Sequence, residues 1–234
     1  MRVPGLPSLV FLLYVFGVLP WAALRSARLM RANAAGARPL PSRDKIWIGT
    51  LVSLASLLFL ALVTARTFDY PIFAVPALGP RELGAAALVF ALCFALRAAR
   101  GRALTDAERR TMAVYRIAPR TPSERVLWAA TSVMAGVAEE AAYRGVAFAI
   151  LTYALGSAWV AALLCAAVFA LSHAMQGRLS AVMIFVVALL LHALVAFTGT
   201  LVLAMVVHAT YDLIAGHQVN VRAARFDREA QAIA

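Results

Sequence analysis

Between residues 126 and 216 the acidic side chains are Glu139, Glu140 and Asp212, and the basic ones are Arg144, Arg178, His173, His192 and His208. The rest of this stretch is largely apolar. Insertion scales put an ionised group at mid-bilayer depth at roughly 2.5 to 3.5 kcal/mol unfavourable, so such groups face a partner or a polar cavity. Carboxylates and imidazoles gathered in that setting are the types that move protons: a carboxylate takes one from water, and an imidazole orients or relays it.

Their spacing says which can meet. Residues four apart share a helix face, which pairs Glu140 with Arg144 and His208 with Asp212. Glu139 lies seventeen residues before the turn expected at Gly156, and His173 seventeen after it. In an antiparallel helix pair that equal count puts both at one depth, about 25 Å of helix from the turn. His208 and Asp212 follow a second turn, at Gly199, on the same outer side, and their depth agrees within about 10 Å. Three helices are therefore expected to enclose one polar cluster. His192 fits neither spacing and reads as a packing residue.

The elements that must position this cluster are membrane helices. The 234-residue chain is 63% hydrophobic and 14% charged, with a mean hydropathy of +0.83. About 20 apolar residues cross a hydrocarbon core of about 30 Å. Seven stretches qualify, at about 4–23, 46–65, 83–98, 123–155, 157–175, 179–198 and 200–216. The third is short and the fourth long, so the expectation is an all-α polytopic bundle of six to eight spans.

Lys and Arg number 22 against 11 acids. Their placement follows topology rather than a nucleic-acid partner. Arg25, Arg28, Arg31, Arg38, Arg43 and Lys45 lie between the first two spans, a second arginine group borders the link between the third and fourth, and Arg222, Arg225 and Arg228 follow the last. Positive residues stay on the cytoplasmic side, which gives an outside N-terminus, a cytoplasmic C-terminus and residence in the cell membrane. A modest affinity for anionic lipid is also expected. The first apolar run resembles a signal peptide, but the arginines behind it resist translocation and favour a retained span. Cys93 and Cys165 both fall inside apolar spans and form no ligand motif. Residues 105–125 read as a polar loop or short surface helix, and 217–234 as a basic tail.

Three short motifs, each in its own span, carry a resemblance: EEAAYRG at 139–145, FALSH at 169–173 and HATYD at 208–212. In this order they resemble the CAAX prenyl protease and bacteriocin-processing family of intramembrane endopeptidases. The resemblance divides the chain into an N-terminal transmembrane region at 1–122, a catalytic transmembrane region at 123–216 and the tail at 217–234. It implies cleavage of a peptide or protein with a membrane-associated segment, with membrane lipids as surroundings. Glu139 would activate water with His173, while His208 and Asp212 act at the carbonyl oxygen. Glu140 and Arg144 would brace the site, with Glu140 a possible second acid or base.

Two points stay open at this level. Glu139, His173 and His208 make a credible zinc set with one free position, so the reaction involves either a divalent metal or none. Many relatives have asparagine where this chain has Asp212; an ionised aspartate accepts but does not donate, so Asp212 is either protonated or orients His208. The rival readings are a proton-coupled transporter, which uses the same residue types, and a catalytically silent membrane scaffold or immunity protein.

Overall fold

The computed structural model describes residues 5–232, and it is helical throughout with no strand among them. Helix α1 runs Leu6–Ala34. Its ladder widens into a π segment at Tyr14–Val18, just before Pro20, which has no backbone N–H to give. The arginines at 25, 28 and 31 continue this helix instead of starting a loop. Helix α2 is Arg43–Arg66, α3 is Pro80–Arg102, and two short helices follow, α4 at Asp106–Thr111 and α5 at Ala113–Arg116.

Helix α6 has three parts, Pro122–Glu139, a π segment Glu140–Ala147, and Phe148–Leu155. Then come α7 at Ala158–Ser172, α8 at Arg178–Thr198 and α9 at Leu201–Gln231. Gly156 and Gly199 close α6 and α8 with φ of 66° and 68°, the left-handed region that glycine enters without a Cβ clash. Both turns expected from the sequence are thus in place.

Leu6–Ala34, Arg43–Arg66, Pro80–Arg102 and Arg178–Thr198 are long and apolar enough to cross a membrane, and Ala158–Ser172 is a shorter apolar helix. With these helices the chain is an integral membrane protein. The two further expected spans belong to α6 and α9, the helices that carry Glu139, Glu140, Arg144, His208 and Asp212.

Helix α6 is central, packing against α2 and α9 along its first part and against α2, α7 and α9 around its π segment. Every residue from Glu140 to Ala147 is buried. Its closest approach is to α9: a Cβ on Gly136 would lie 2.7 Å from both the Cβ and the backbone nitrogen of Ala209. Only a glycine lets the two backbones touch at this point. His208 is therefore carried into α6 by direct helix contact.

The expected tail is largely an extension of α9, whose Ala223 and Phe226 are buried; residues 233 and 234 lie outside the described residues, as do 1–4. The extension is strapped to α4 and α5. Arg110 pairs with Glu229 and Arg120 with Asp227, while Arg225 reaches Asp106 at 3.1 Å and Glu229 at 2.6 Å. The Arg110 guanidinium lies 4.1 Å from the centre of the Phe226 ring. Hydrogen bonding from Arg109 holds the Asp106 carboxyl below its usual range, helped by the charge of Arg225, and hydrogen bonding from Arg225 does the same for Glu229.

A carboxyl depressed in the folded state adds stability above its unfolded pKa and loses it as pH falls through the folded value. The strap should hold unchanged from neutrality down to about pH 5 and loosen below about 4, the ordinary carboxylate range. Rate-corrected amide exchange over 106–116 and 222–231 checks this. Loosening on raising the pH from 5 to 8 would contradict it.

Candidate active site

Glu139 closes the α part of α6 and Glu140 opens its π part, and the two neighbours face different surroundings. The Glu139 side chain is 16% exposed, while those of Glu140 and Arg144 are both 0% exposed. A cavity of ≈ 1210 Å³ explains the difference: Glu139, His173, His208 and Asp212 line it, together with Tyr143 and Ser172. Glu140 and Arg144 lie behind this wall.

The π segment sets an ion pair there, with Arg144 Nη1 3.2 Å from Glu140 Oε1. The Arg144 guanidinium also stacks on Phe169, 4.4 Å from the ring centre. Oε2 of Glu140 and all three guanidinium nitrogens of Arg144 are buried without a hydrogen-bond partner. The pair therefore rests on charge and on the aromatic face, a combination that fails badly when one partner is removed.

Helix α9 supplies the next contact. His208 Nδ1 lies 2.8 Å from Glu140 Oε1. A carboxylate can only accept, so Nδ1–H donates and Nε2 is left for other work. That nitrogen points toward Glu139 Oε2 at 3.8 Å and Asp212 Oδ2 at 3.7 Å. The hydrogen bond of the His208 ring is to Glu140 and not to Asp212.

His173 caps α7 and is fixed in the same manner, its Nδ1–H donating to the Phe169 carbonyl at 2.8 Å. Its Nε2 is likewise free. Glu139 and His173 line one cavity, while the imidazole that stands 3.8 Å from Glu139 is that of His208. The pair expected between His208 and Asp212 stands at 3.7 Å, an ion-pair separation without a hydrogen bond.

Phe169, the first residue of the FALSH motif, joins the parts of the cluster. Its ring carries Arg144, meets Tyr143 edge-on at 5.1 Å, and lies 4.6 Å from the His173 ring and 6.2 Å from that of His208. Its position four residues before His173 was the available signal. Tyr143 and Ser172, 3.2 Å apart through their hydroxyls, add a polar contact that no spacing announced. His192 is buried with Nε2 unpartnered, its ring 5.2 Å from Phe148.

The donor types Glu139, His173 and His208 suit zinc, and both imidazoles present a free Nε2. Yet among the described residues no three His, Cys, Asp or Glu side chains converge on a point that one ion could occupy. The set does not fit a metal in this arrangement.

Fold and cavity together define an integral membrane protein built around a carboxylate–imidazole centre. Residues 121–214 match the family described as Rce1-like, type II CAAX prenyl endopeptidase Rce1-like. The match spans α6 to the first part of α9, and so contains every candidate residue above. No curated protein and no solved structure matches the chain.

Proposed function

We propose that the protein is an intramembrane endopeptidase in which Glu139 is the general base. The supporting observation is the division between adjacent glutamates: Glu139 faces the cavity with His173, His208 and Asp212, while Glu140 is shut behind it with Arg144. Glu139 removes a proton from water as the oxygen adds to the peptide carbonyl carbon, and the same carboxyl returns it to the departing amine. His173, anchored at Nδ1, orients the water through Nε2.

His208 acts at the carbonyl oxygen. Donation from Nε2 requires the imidazolium form, whose charge Glu139, Glu140 and Asp212 are placed to balance. Glu140 fixes that ring and Arg144 fixes Glu140, so both are positioning residues. Asp212 faces the cavity beside Nε2, 35% exposed, where in its protonated form it would supply a second donor. The substrate is a peptide or protein with a membrane-associated segment.

In this reading α6, α7 and α9 also cross the membrane, giving seven crossings with the N-terminus outside. Most cavity-lining residues on α1, α2 and α3 come from the half of each helix nearer the arginine-rich connections, which supports a site toward the cytoplasm. A thiol probe should label Ala35→Cys only from the cytoplasm and Val75→Cys only from outside. Both native cysteines are buried, which keeps the background low. Equal labelling of both positions from outside would sink the orientation.

The function itself is tested by comparing membrane peptides from cells carrying the wild type and Glu139→Ala. Fragments that disappear in the variant identify substrate and activity together. An unchanged peptide set would refute the proposal.

A further inference from the structure

Helix α9 keeps one face uncovered well past its apolar part. Ile214, His217, Val221, Arg225 and Arg228 are all exposed and recur at steps of three or four, so they form a single stripe that begins apolar and ends basic. Beside the basic end is a second cavity of ≈ 570 Å³. It is lined by His217, Val221, Arg222, Arg225 and Arg228 of α9 and by Arg97 of α3. Among the described residues, every formally charged side chain in its lining is an arginine. Arg225 already bonds Asp106 and Glu229, so the charge turned to this cavity comes from Arg97, Arg222 and Arg228.

Depth sets the cavity at a membrane surface. In the proposed topology α3 and α9 run inward from Pro80 and Leu201, and at 1.5 Å per residue Arg97 and His217 both lie about 25 Å along their helices, with Arg228 at about 40 Å. The bond from Arg97 Nε to Gln218 Oε1, 3.3 Å long, ties the two helices at this shared level. The inner edge of a hydrocarbon core about 30 Å thick falls between the two depths. Arginines there stand among headgroups.

We infer that this cavity binds the phosphate of an anionic phospholipid, whose acyl chains lie along the exposed Val206 and Ile214 of α9. A guanidinium offers paired N–H groups in a plane, the geometry that two phosphate oxygens meet with parallel bonds. Basic pockets between membrane helices take headgroups in this way. The apolar side chains decide the source of the phosphate: Val221 stands exposed among the arginines and the stripe beyond it turns apolar, which favours a ligand with acyl chains over a soluble anion. Arg97, Tyr115, Gln218 and Arg222 line both this cavity and the one that holds Glu139 and His208. A bound headgroup therefore rests against a wall that the two cavities share.

Native mass spectrometry of the full chain, released from a neutral detergent, counts bound lipids. Dioctanoyl phosphatidylglycerol should add its first molecule roughly tenfold more tightly than dioctanoyl phosphatidylcholine, which has the same chains and phosphate but no net charge. Arg222→Gln with Arg228→Gln leaves the ion pairs of the strap in place and should erase this preference. Val221→Glu, a change at an exposed position, should erase it as well by setting a carboxylate among the arginines. Arg28→Gln with Arg31→Gln removes the same charge from another basic segment and should leave the preference intact.

Equal affinity for the two lipids overturns the site. So does equal loss in both arginine pairs, which would reduce it to a general attraction of the basic surface. Glycerol 3-phosphate and inorganic phosphate should each bind at least roughly tenfold more weakly than phosphatidylglycerol, because they lack the apolar contact. If either matches the lipid, the site takes a soluble phosphate and the lipid assignment is wrong. Lipid is counted without peptide or turnover, so failure here leaves the endopeptidase reading standing, and an unchanged peptide set in Glu139→Ala leaves the lipid site standing.

Discussion

Glu139→Gln should lower turnover at least about 10²-fold and leave the folded amount nearly unchanged. The substitution keeps side-chain size and hydrogen bonding but removes the base. Structural loss should be small because Glu139 faces the cavity and its nearest imidazole nitrogen, on His208, stands 3.8 Å away. Peptide cleavage by detergent-purified protein, normalised to the monodisperse peak on size exclusion, is the measurement. Full cleavage by the variant would make Glu139 structural and the assignment of the base wrong.

Glu140→Gln fails in a different way. It leaves the guanidinium of Arg144, 0% exposed and without a hydrogen bond, in the bundle with no counter-charge. Breaking a buried pair from one side costs roughly 3 to 5 kcal/mol, a large part of a domain's net stability. Folded yield and thermal midpoint should both drop, and activity should drop with them because Glu140 also fixes His208. Glu140→Gln combined with Arg144→Met should recover much of the yield. The thioether can pack on the Phe169 face that the guanidinium vacates, and no unpaired charge remains. Activity need not return. A double variant as poorly folded as the single one would show that the pair is not what holds these helices.

The helical contacts were legible wherever a fixed period carried them. Glu140 and Arg144 meet because four residues separate them, and Gly156 and Gly199 turn where expected. Counting from Gly156 brought Glu139 and His173 to one cavity. The bond from His208 to Glu140 was hidden, since its partners are 68 residues apart and a one-helix pattern points His208 only to Asp212. The π segment was hidden for a related reason, because counting at 3.6 residues per turn presumes the geometry that this stretch abandons. The strap on α9 looked like a loop and a tail. Its charges alternate in sign, yet pairings such as Arg110 with Glu229 form between segments far apart in the chain.

The contact of Gly136 with Ala209 has a bearing on what can enter the cavity. Two backbones already touching cannot be pressed closer, so the side of the chamber built by α6 and α9 is stiff and keeps Glu139 and His208 at a set gap. The lining from α1, such as Leu19, Leu29 and Met30, is only partly buried, and such side chains change rotamer at little cost. These lie outside residues 121–214. In the proposed reading shape and chemistry are thus written in separate stretches of the chain, and exchanging bulky for small residues on the first helix should retune which peptides are admitted while Glu139 and His208 stay where they are.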